Sequence, residues 1–321
     1  MRVLVTIIAV VSLIVIAALA AVIALDAPQT PATMKSVSDP FAGLDFSGTP
    51  PKQHYTARDG TTLVYRAYPG DPKRIVVLIH GSSGTTQSMH LVAKAIQARG
   101  VTVYALAMRG HDGTGRSGDI DYIGQLDDDV VDFLKALGPR PPGQTRTLLG
   151  FSSGGGFALR FAGGAQGGLF DRLILIAPQF PYFAPTVRQG AGGWISLALP
   201  RIIALGVLNR FGVTAFNGLP VLAMAVDRAR LAETGLTPIY TYRMLRNFGP
   251  DDDYLGDIKR APGPVHVFDG EKDEIFYAGK FVPLLKPLRP DLTVTVIPGL
   301  SHIEMTLKPA ALDAIAAAAA N

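Results

Sequence analysis

The stretch Leu148-Leu149-Gly150-Phe151-Ser152-Ser153-Gly154-Gly155-Gly156 decides how this chain folds. An apolar run, residues 146–151, ends at a serine between two glycines, and a helix-like segment, residues 157–162, follows. This Gly-x-Ser-x-Gly pattern is typical of a strand that turns sharply into a helix at a nucleophilic serine. Gly150 and Gly154 leave room for the crowded backbone of that turn. The pattern therefore presents the Ser152 hydroxyl at the sheet edge, where the N-terminus of the helix can stabilise negative charge.

The motif is short, and an ordinary Gly/Ser turn would read the same way, so its surroundings have to support it. Buried strand-like runs and helix-like segments alternate on both sides of it. Strands are predicted over 74–80, 101–108, 146–151, 172–177, 264–268 and 292–297, and helices over 87–99, 122–137 and 303–320. This alternation predicts an α/β fold with a mostly parallel sheet flanked by helices. A hairpin over 53–68, with a turn at Arg58-Asp59-Gly60, adds antiparallel strands at one edge.

The alternation stops between residues 178 and about 262. This stretch is rich in aromatic residues: Phe180, Tyr182, Phe183, Trp194, Phe211, Phe216, Tyr240 and Tyr242. An insertion at this place in the chain would overhang the strand ends where sites of parallel sheets lie. We therefore predict a largely helical lid insertion over about 179–262. The alternative is that these are ordinary core helices of the main domain.

Composition limits the class of protein. The chain has 321 residues, 48% of them hydrophobic and 17% charged, which fits one large domain, alone or with an insertion. The formal charge is +4, and the basic residues are scattered, so no nucleic-acid partner is predicted. There are no cysteines, which excludes disulfides, thiol catalysis and thiolate metal sites. The sequence does not predict an oligomeric state.

The N-terminal region divides into two parts ahead of the domain. Residues 1–25 contain an almost unbroken apolar run, long enough to cross a bilayer, with Arg2 before it and Asp26 after it. The positive-inside rule then predicts a membrane anchor with the domain on the exported side, periplasmic or extracellular. A cleaved signal peptide, ending at Ala18-Leu19-Ala20, is the alternative and would give a secreted protein. Residues 26–51 are predicted to be a linker, and residues 52–321 the domain.

Four loops carry polar residues, and each lies at the end of a predicted strand. They are His80-Gly81-Ser82-Ser83-Gly84, the Ser152 turn, Phe268-Asp269-Gly270-Glu271-Lys272-Asp273 and Pro298-Gly299-Leu300-Ser301-His302. The carboxyl ends of parallel strands meet at one edge of a sheet, so these loops are expected to converge. Their order along the chain, serine then acid then histidine, is the order of a hydrolase triad on such a sheet.

From about Gln53 to the end, the chain resembles the α/β-hydrolase superfamily, and within it the serine aminopeptidase/monoacylglycerol lipase/lysophospholipase-like group. The residues that carry the resemblance are His80-Gly81-Ser82, Met108-Arg109-Gly110-His111, Gly150 to Gly154, Asp269 to Asp273, and His302. The resemblance implies that Ser152 is the nucleophile, His302 the general base and Asp273 the acid that orients it. It also implies an oxyanion hole of the backbone N–H groups of Ser82 and Ser153, in a loop shaped by His80 and Gly81.

The chain departs from the group at one loop. The group commonly continues Arg-Gly-His directly with Gly-x-Ser, whereas here Asp112-Gly113-Thr114 comes between His111 and Gly115-Arg116-Ser117. The loop borders the site, so the substrate pocket is expected to differ. Residues 113–118 also match Gly-x-Gly-x-x-Gly. They follow the second parallel strand and no helix opens after them, so a loop is favoured over a dinucleotide site.

Each proposed catalytic residue has rivals. Ser153 is the adjacent serine, and the spacing of the motif favours Ser152. The rival acids are Asp269, Glu271 and Glu274, and the rival histidines are His54, His80, His90, His111 and His266. Asp273 fits the Gly-x-x-Asp spacing of the group that the chain resembles, and only His302 follows the last strand. Asp127, Asp128 and Asp129 could suggest a metal cluster, but successive helix positions face different directions, so no metal and no cofactor are predicted.

The sequence thus predicts a membrane-anchored serine hydrolase that cleaves carboxylic esters. An apolar, aromatic lid suggests an apolar acyl group, as in a monoacylglycerol, a lysophospholipid or a similar lipid ester. Two alternatives stay open. A peptidase that removes N-terminal residues would need an acidic group in the lid, such as Asp227, Glu233 or residues 251–253. A catalytically silent binding protein on the same fold is the other, and the intact serine, acid and histidine argue against it.

Overall fold

The computed structural model describes residues 1–41 and 43–321, and its elements follow in chain order. The N-terminal region holds α1 (Arg2–Leu25) and α2 (Lys35–Ser38). The first part of the domain holds β1 (Gln53–Thr56), β2 (Thr62–Tyr68), β3 (Asp71–Ile79), α3 (His90–Gln97), β4 (Val101–Leu106), α4 (Gln125–Ala136), β5 (Thr145–Phe151), α5 (Ser153–Gly163) and β6 (Arg172–Ile176). Then come β7 (Ile195–Leu197), α6 (Leu199–Arg210), β8 (Pro220–Met224), α7 (Leu231–Thr234), β9 (Ile239–Thr241), α8 (Tyr242–Asn247) and α9 (Tyr254–Arg260). The chain closes with β10 (Val265–Gly270), α10 (Phe281–Leu285), β11 (Thr293–Ile297) and α11 (Pro309–Ala320).

The central sheet has eight strands in the order β1-β2-β4-β3-β5-β6-β10-β11. All pairs from β4 to β11 are parallel, and β1 and β2 form the antiparallel hairpin at the edge. The central strands are apolar because both faces are covered by helices, and residues 76–79 of β3 are fully buried. The predicted α/β-hydrolase fold is confirmed.

The helices that flank the sheet pack against each other in pairs. Helix α3 packs against α11, and α5 packs against α9. The helix predicted over 303–320 is divided in the structure. A short 3-10 turn, Ile303–Thr306, comes first, and α11 begins at Pro309. Proline fits the first turn of a helix but cannot lie inside one, so the chain restarts there.

The stretch predicted as a largely helical lid insertion contains α6, α7, α8 and α9, but these helices cover only about a third of its residues. It also contains a small antiparallel sheet in the order β7-β8-β9, which the sequence did not predict. Its strands are three to five residues long, too short to show the alternation that distinguishes a strand from a buried helix segment. We call residues 179–262 the insertion.

Helix α1 is, within the described residues, the one helix long and apolar enough to cross a membrane, with a mean hydropathy of 3.2. A signal sequence would meet the same criteria. Its C-terminal end is not isolated, because Ile23 packs with Ala204 and Leu205 of α6. Directly after α1, the Asp26 carboxylate accepts a hydrogen bond of 3.0 Å from the backbone N–H of Arg201, in the first turn of α6.

The predicted linker, residues 26–51, needs a correction. Its middle does not run free of the domain, since Met34, Val37, Phe41 and Leu44 pack against the main core. These apolar residues recur every three or four positions in a stretch otherwise rich in proline, serine and threonine. That spacing gives the short helical turns between residues 35 and 41 one apolar side, which is buried on the domain.

Candidate active site

The Ser152 turn has the geometry that its glycines predict. The serine lies between β5 and α5 with φ 54° and ψ −121°, a conformation that non-glycine residues rarely adopt. A side chain at Gly150 would collide with the carbonyl group of Gly154, and one at Gly154 would collide with the carbonyl group of His80. The backbone therefore needs glycine on both sides to hold the serine at the carboxyl edge of the sheet.

The three residues proposed as a triad come together at that edge. The Ser152 Oγ lies 3.1 Å from His302 Nε2, and His302 Nδ1 lies 2.6 Å from Asp273 Oδ2. All three side chains are buried, with Ser152 5% exposed. The rings of Phe151 and Phe276 lie 4.8 and 5.3 Å from the imidazole, centroid to centroid, and hold its plane. This arrangement can pass a proton from the hydroxyl to the imidazole.

The environment of Asp273 keeps its carboxyl group ionised. Burial alone would raise its pKa, but the neighbouring imidazole and several hydrogen bonds outweigh this, and the pKa is lowered. Its Oδ1 accepts hydrogen bonds of 2.7 Å from the backbone N–H groups of Ile275 and Phe276. With one oxygen held by the backbone and the other facing His302, the carboxylate can fix the ring tautomer.

The rival acids have other partners. Glu271 accepts from the backbone N–H of Gly299, and Glu274 accepts from that of His302, so both brace the histidine loop from outside. Asp269 lies fully buried beside Asp273. Burial and the neighbouring carboxylate raise the pKa of Asp269 well above its usual range, which keeps it protonated. It is not positioned as a partner of the imidazole in the hydrogen bonds that the structure describes.

The rival serine and histidines are also accounted for. The Ser153 hydroxyl is buried and has no hydrogen-bond partner among the described residues. His90 contacts the hydroxyl of Tyr68, while His54 is exposed on β1 and His266 lies within β10. None of these groups lies at hydrogen-bond distance from Ser152.

The loop after β3 carries one of the two proposed oxyanion donors. In the described part of the chain, neither the backbone N–H of Ser82 nor that of Ser153 donates a hydrogen bond to another residue. Two residues of the insertion hold this loop. Trp194 donates from its indole nitrogen to the Ser82 hydroxyl at 2.9 Å, and the Tyr240 hydroxyl accepts from the backbone N–H of Ser83 at 2.8 Å.

His80 and His111 make further hydrogen bonds around the loop after β3. The Nδ1 of His80 lies 2.8 Å from the carbonyl oxygen of Gly81, and its Nε2 accepts from the backbone N–H of Met108. The Nε2 of His111 lies 2.5 Å from the Tyr240 hydroxyl. Burial lowers the pKa of both imidazoles, so they stay neutral. In the hydrogen bonds that the structure describes, both imidazoles contact the loops around the site and neither contacts Ser152.

A cavity of about 340 Å³ opens at Ser152 and His302. Apolar side chains line much of it, including Trp194, Val226, Leu236 and Ile275. Its volume lies in the range of small-ligand sites, roughly 300–1,000 Å³. The cavity can hold an apolar chain with its reacting carbonyl next to the serine.

Within the described residues, no three histidine or carboxylate side chains converge on a point that could hold a metal ion. The three consecutive aspartates of α4 turn to separate partners. Asp127 pairs with Arg160, Asp128 with Arg58, and Asp129 with Arg109. Their divergence follows from their successive positions on one helix.

Several residues at the site were not predicted from the sequence. Trp194 and Tyr240 were noted only as aromatic residues of a lid. The cavity is also lined by Val37, Phe41, Leu44 and Phe46, from the stretch predicted as a linker. The apolar spacing of the latter could have identified them, and Trp194 is the only tryptophan in the chain.

Comparison with known proteins finds similar sequences and structures. The profile of a hydrolase family described as serine aminopeptidase, S33, matches residues 70–306, about three quarters of the chain. A monoacylglycerol lipase of Mycolicibacterium smegmatis is 27% identical over 267 residues, which cover 80% of this chain and 91% of the relative.

Two solved structures share the fold. One is a soluble variant of monoglyceride lipase from Saccharomyces cerevisiae, with a TM-score of 0.63 at 18% identity, covering 87% of this chain and 96% of that one. The other is a bacterial membrane phospholipase A, with a TM-score of 0.56 at 17% identity, and the match covers 100% of both chains. At these identities the likeness is one of fold.

Proposed function

The chain belongs to the serine aminopeptidase S33 family of the α/β-hydrolase superfamily, and on this premise we propose that it is a lipid esterase with Ser152 as its nucleophile. The observation that carries the proposal is the continuous hydrogen-bond path from Ser152 through His302 to Asp273, at the base of an apolar cavity. The matched family and the monoacylglycerol lipase relative support a serine hydrolase that acts on lipid esters.

The proposed mechanism is acyl transfer in two halves. The Ser152 oxygen attacks the ester carbonyl as His302 Nε2 takes the hydroxyl proton, and Asp273 stabilises the imidazolium that forms. The backbone N–H groups of Ser82 and Ser153 hold the negative oxygen of the tetrahedral intermediate. The imidazolium returns the proton to the departing alcohol. Water, activated by the same imidazole, then attacks the acyl-enzyme and releases the acid and the free serine.

The proposed substrate is a monoacyl lipid ester such as a monoacylglycerol, a lysophospholipid or a similar compound. Apolar side chains around the cavity favour burial of an acyl chain, at about 0.8 kcal/mol per buried methylene. The polar head would lie near Asp227, Arg230 and Glu233, which also line the cavity.

A peptidase that removes N-terminal residues is the second candidate, because Asp227 and Glu233 of the insertion line the same cavity. A carboxylate there could bind the substrate amine. Glu233 is already paired with Arg230 at 2.7 Å, and Asp227 accepts from the backbone N–H of Ala229. Since both carboxylates have partners, we favour the ester. Comparing hydrolysis of amino-acid anilides with that of fatty esters separates the two candidates.

We further propose that α1 anchors the protein in a membrane with the domain on the exported side. The apolar length of α1 and the Arg2 that precedes it support this placement. A surface enzyme would meet lipid esters where they accumulate. If α1 is instead removed as a signal peptide, the domain would be secreted.

The first test is labelling with a fluorophosphonate probe, which reacts with activated serines. We expect the detergent-solubilised protein to be labelled and the Ser152→Ala variant to be unlabelled. Labelling that persists in Ser152→Ala would move the nucleophile to Ser153, and a folded but unreactive wild type would favour the silent binding protein. With labelling established, activity on p-nitrophenyl esters should rise from acetate to octanoate. A preference for acetate that vanishes at longer chains would exclude the lipid substrate.

A further inference from the structure

A strap of chain from the N-terminal region crosses the cavity that contains Ser152. We define the strap as residues 34–41 and 43–52. It lies outside the stretch that matches the family, residues 70–306. Four of its apolar side chains, Val37, Phe41, Leu44 and Phe46, line the same cavity as the reacting serine. Each is partly buried, so each is held on the domain and still faces open space.

The strap is fastened to the insertion at its N-terminal end. The backbone N–H of Met34 donates a hydrogen bond of 2.9 Å to the carbonyl oxygen of Ala225, just after β8. Ala225 and the next residue, Val226, line the cavity themselves. The side chain of Met34 packs against the main core. The strap therefore starts at the rim of the pocket.

At its C-terminal end the strap is fastened to Asp112. This residue begins the Asp112-Gly113-Thr114 segment by which the chain departs from its group. Lys52 Nζ donates to the Asp112 side chain at 2.8 Å and to the Asp112 carbonyl oxygen at 3.0 Å. The other Asp112 carboxylate oxygen accepts from the backbone N–H and the hydroxyl of Thr86, at 3.1 and 2.6 Å. The carbonyl oxygen of Pro50 also accepts from Arg66. Asp112 thus joins the strap to Thr86, just beyond the loop His80 to Gly84 that follows β3.

The strap is held at both ends, and its apolar side chains line the cavity together with other parts of the domain. Trp194 and Leu236 of the insertion and Ile275, ahead of α10, are among the other lining residues. An acyl chain that extends from Ser152 would be enclosed between the strap and these side chains. Contact with the strap then removes apolar surface of the substrate from water, and a longer chain gains more from this burial than a short one.

We propose that the strap forms the acyl-selecting wall of the pocket, that Phe41 and Leu44 contact the acyl chain, and that the Lys52–Asp112 contact holds this wall in place. This inference rests on the proposed esterase function and names the part of the chain that determines its preference. It gives the Asp112-Gly113-Thr114 insertion a role, because Asp112 supplies the attachment point.

The kinetic test compares kcat/KM for p-nitrophenyl octanoate and acetate in the full-length protein. In the Phe41→Ala/Leu44→Ala variant we expect the octanoate-to-acetate ratio to fall on the order of 10-fold, because contact with the longer chain is lost while acetate does not reach the strap. Val282→Ala, which shortens an exposed apolar side chain on α10, is the matched control and should keep the wild-type ratio. An unchanged ratio in the strap variant would overturn the proposal.

A separate variant tests the contact between Lys52 and Asp112. Lys52→Met keeps most of the side-chain stem but cannot donate to Asp112. If the contact holds the wall, the octanoate-to-acetate ratio should fall in the same direction as in the strap variant. A wild-type ratio in Lys52→Met would remove the Lys52–Asp112 contact from the proposal.

A second measurement does not depend on catalysis. A fatty acid with a terminal diazirine is photo-crosslinked to the Ser152→Ala protein, followed by trypsin digestion and mass spectrometry. Cleavage after Lys35 and Lys52 isolates the strap as one peptide, residues 36–52. We expect adducts on this peptide that excess unlabelled fatty acid abolishes. Adducts confined to other peptides would overturn the proposal. Adducts on the strap, together with no esterase activity in the wild-type protein, would support the wall and reject the proposed function.

Discussion

At the scale of single residues, the candidate site depends on one carboxylate with two different sets of partners. Asp273 meets the imidazole of His302 through one oxygen and the backbone N–H groups of residues 275 and 276 through the other. The Asp273→Asn variant keeps this shape but presents the wrong hydrogen-bonding group to the ring. We expect kcat on a short-chain ester to fall on the order of 10⁴-fold.

The matched control for that variant is Asp269→Asn, which changes the adjacent buried carboxyl in the same way. It should retain activity to within about 10-fold, because an amide can replace a protonated carboxyl as a donor. Equal losses in the two variants would show that Asp273 is not the residue that orients the histidine.

The same Asp269 should make stability depend on pH. Its pKa is raised in the folded protein by burial and by Asp273, whereas in the unfolded chain it lies near 4. Its stabilising contribution is therefore complete below about pH 4 and is lost as the pH rises toward the folded pKa, by up to about 1.4 kcal/mol per pH unit. The amide that replaces this carboxyl in Asp269→Asn does not titrate in either state. The Tm of the variant minus the Tm of the wild type should therefore increase as the pH rises from 4 to 7. Parallel curves of Tm against pH would contradict this.

The sequence patterns predicted that the three proposed triad residues lie close together because each of them follows a strand. Ser152, Asp273 and His302 follow β5, β10 and β11, and parallel strands bring their ends together wherever the intervening chain goes. The different environments of Asp269 and Asp273 could not be predicted from these patterns. They differ in burial and in hydrogen-bond partners, which depend on how the loop folds over the histidine.

At the scale of elements, the insertion holds the loop after β3, which carries the proposed oxyanion donor Ser82. Trp194 donates to the Ser82 hydroxyl, while the backbone N–H of the same Ser82 is a proposed donor to the oxyanion. We expect Trp194→Phe to lower kcat by roughly 2- to 10-fold with little effect on KM, since the bond positions a group that acts in the transition state.

A double-mutant cycle with Ser82→Ala tests that interpretation. Ser82→Ala removes the acceptor and keeps the backbone N–H. If the indole acts through this bond, the double variant should be no slower than the slower single variant. Losses that multiply would mean that Trp194 affects catalysis by another route.

The elements also show where the sequence was insufficient. Buried strands such as β3 and β5 carry long apolar runs, so their pattern predicted the sheet. The strands β7, β8 and β9 are short, and their pairing joins residues distant along the chain, so no local pattern identified them. The strap was interpreted as part of a linker because residues 26–51 are rich in proline, threonine, serine and alanine, although its apolar side chains pack on the domain.

At the scale of the whole molecule, the proposed topology can be tested because the chain has no cysteine. A single Ala165→Cys substitution, on the exposed loop between α5 and β6, gives one labelling site far from α1 in the sequence. If the domain is exported, a membrane-impermeant maleimide should label it in intact cells or spheroplasts. Labelling only after lysis would place the domain on the cytoplasmic side.

The packing of α1 on α6 has a consequence for how substrate is encountered. Ile23 and Asp26 hold the end of α1 against the insertion, so α1 is joined to the domain by packing contacts as well as by the chain. If α1 lies in a bilayer, the enzyme is restricted to two-dimensional diffusion with its orientation to the leaflet held constant. Its turnover would then follow the mole fraction of ester in the surface rather than the bulk concentration. Diluting the surface with inert lipid would slow it even when the total amount of ester is unchanged.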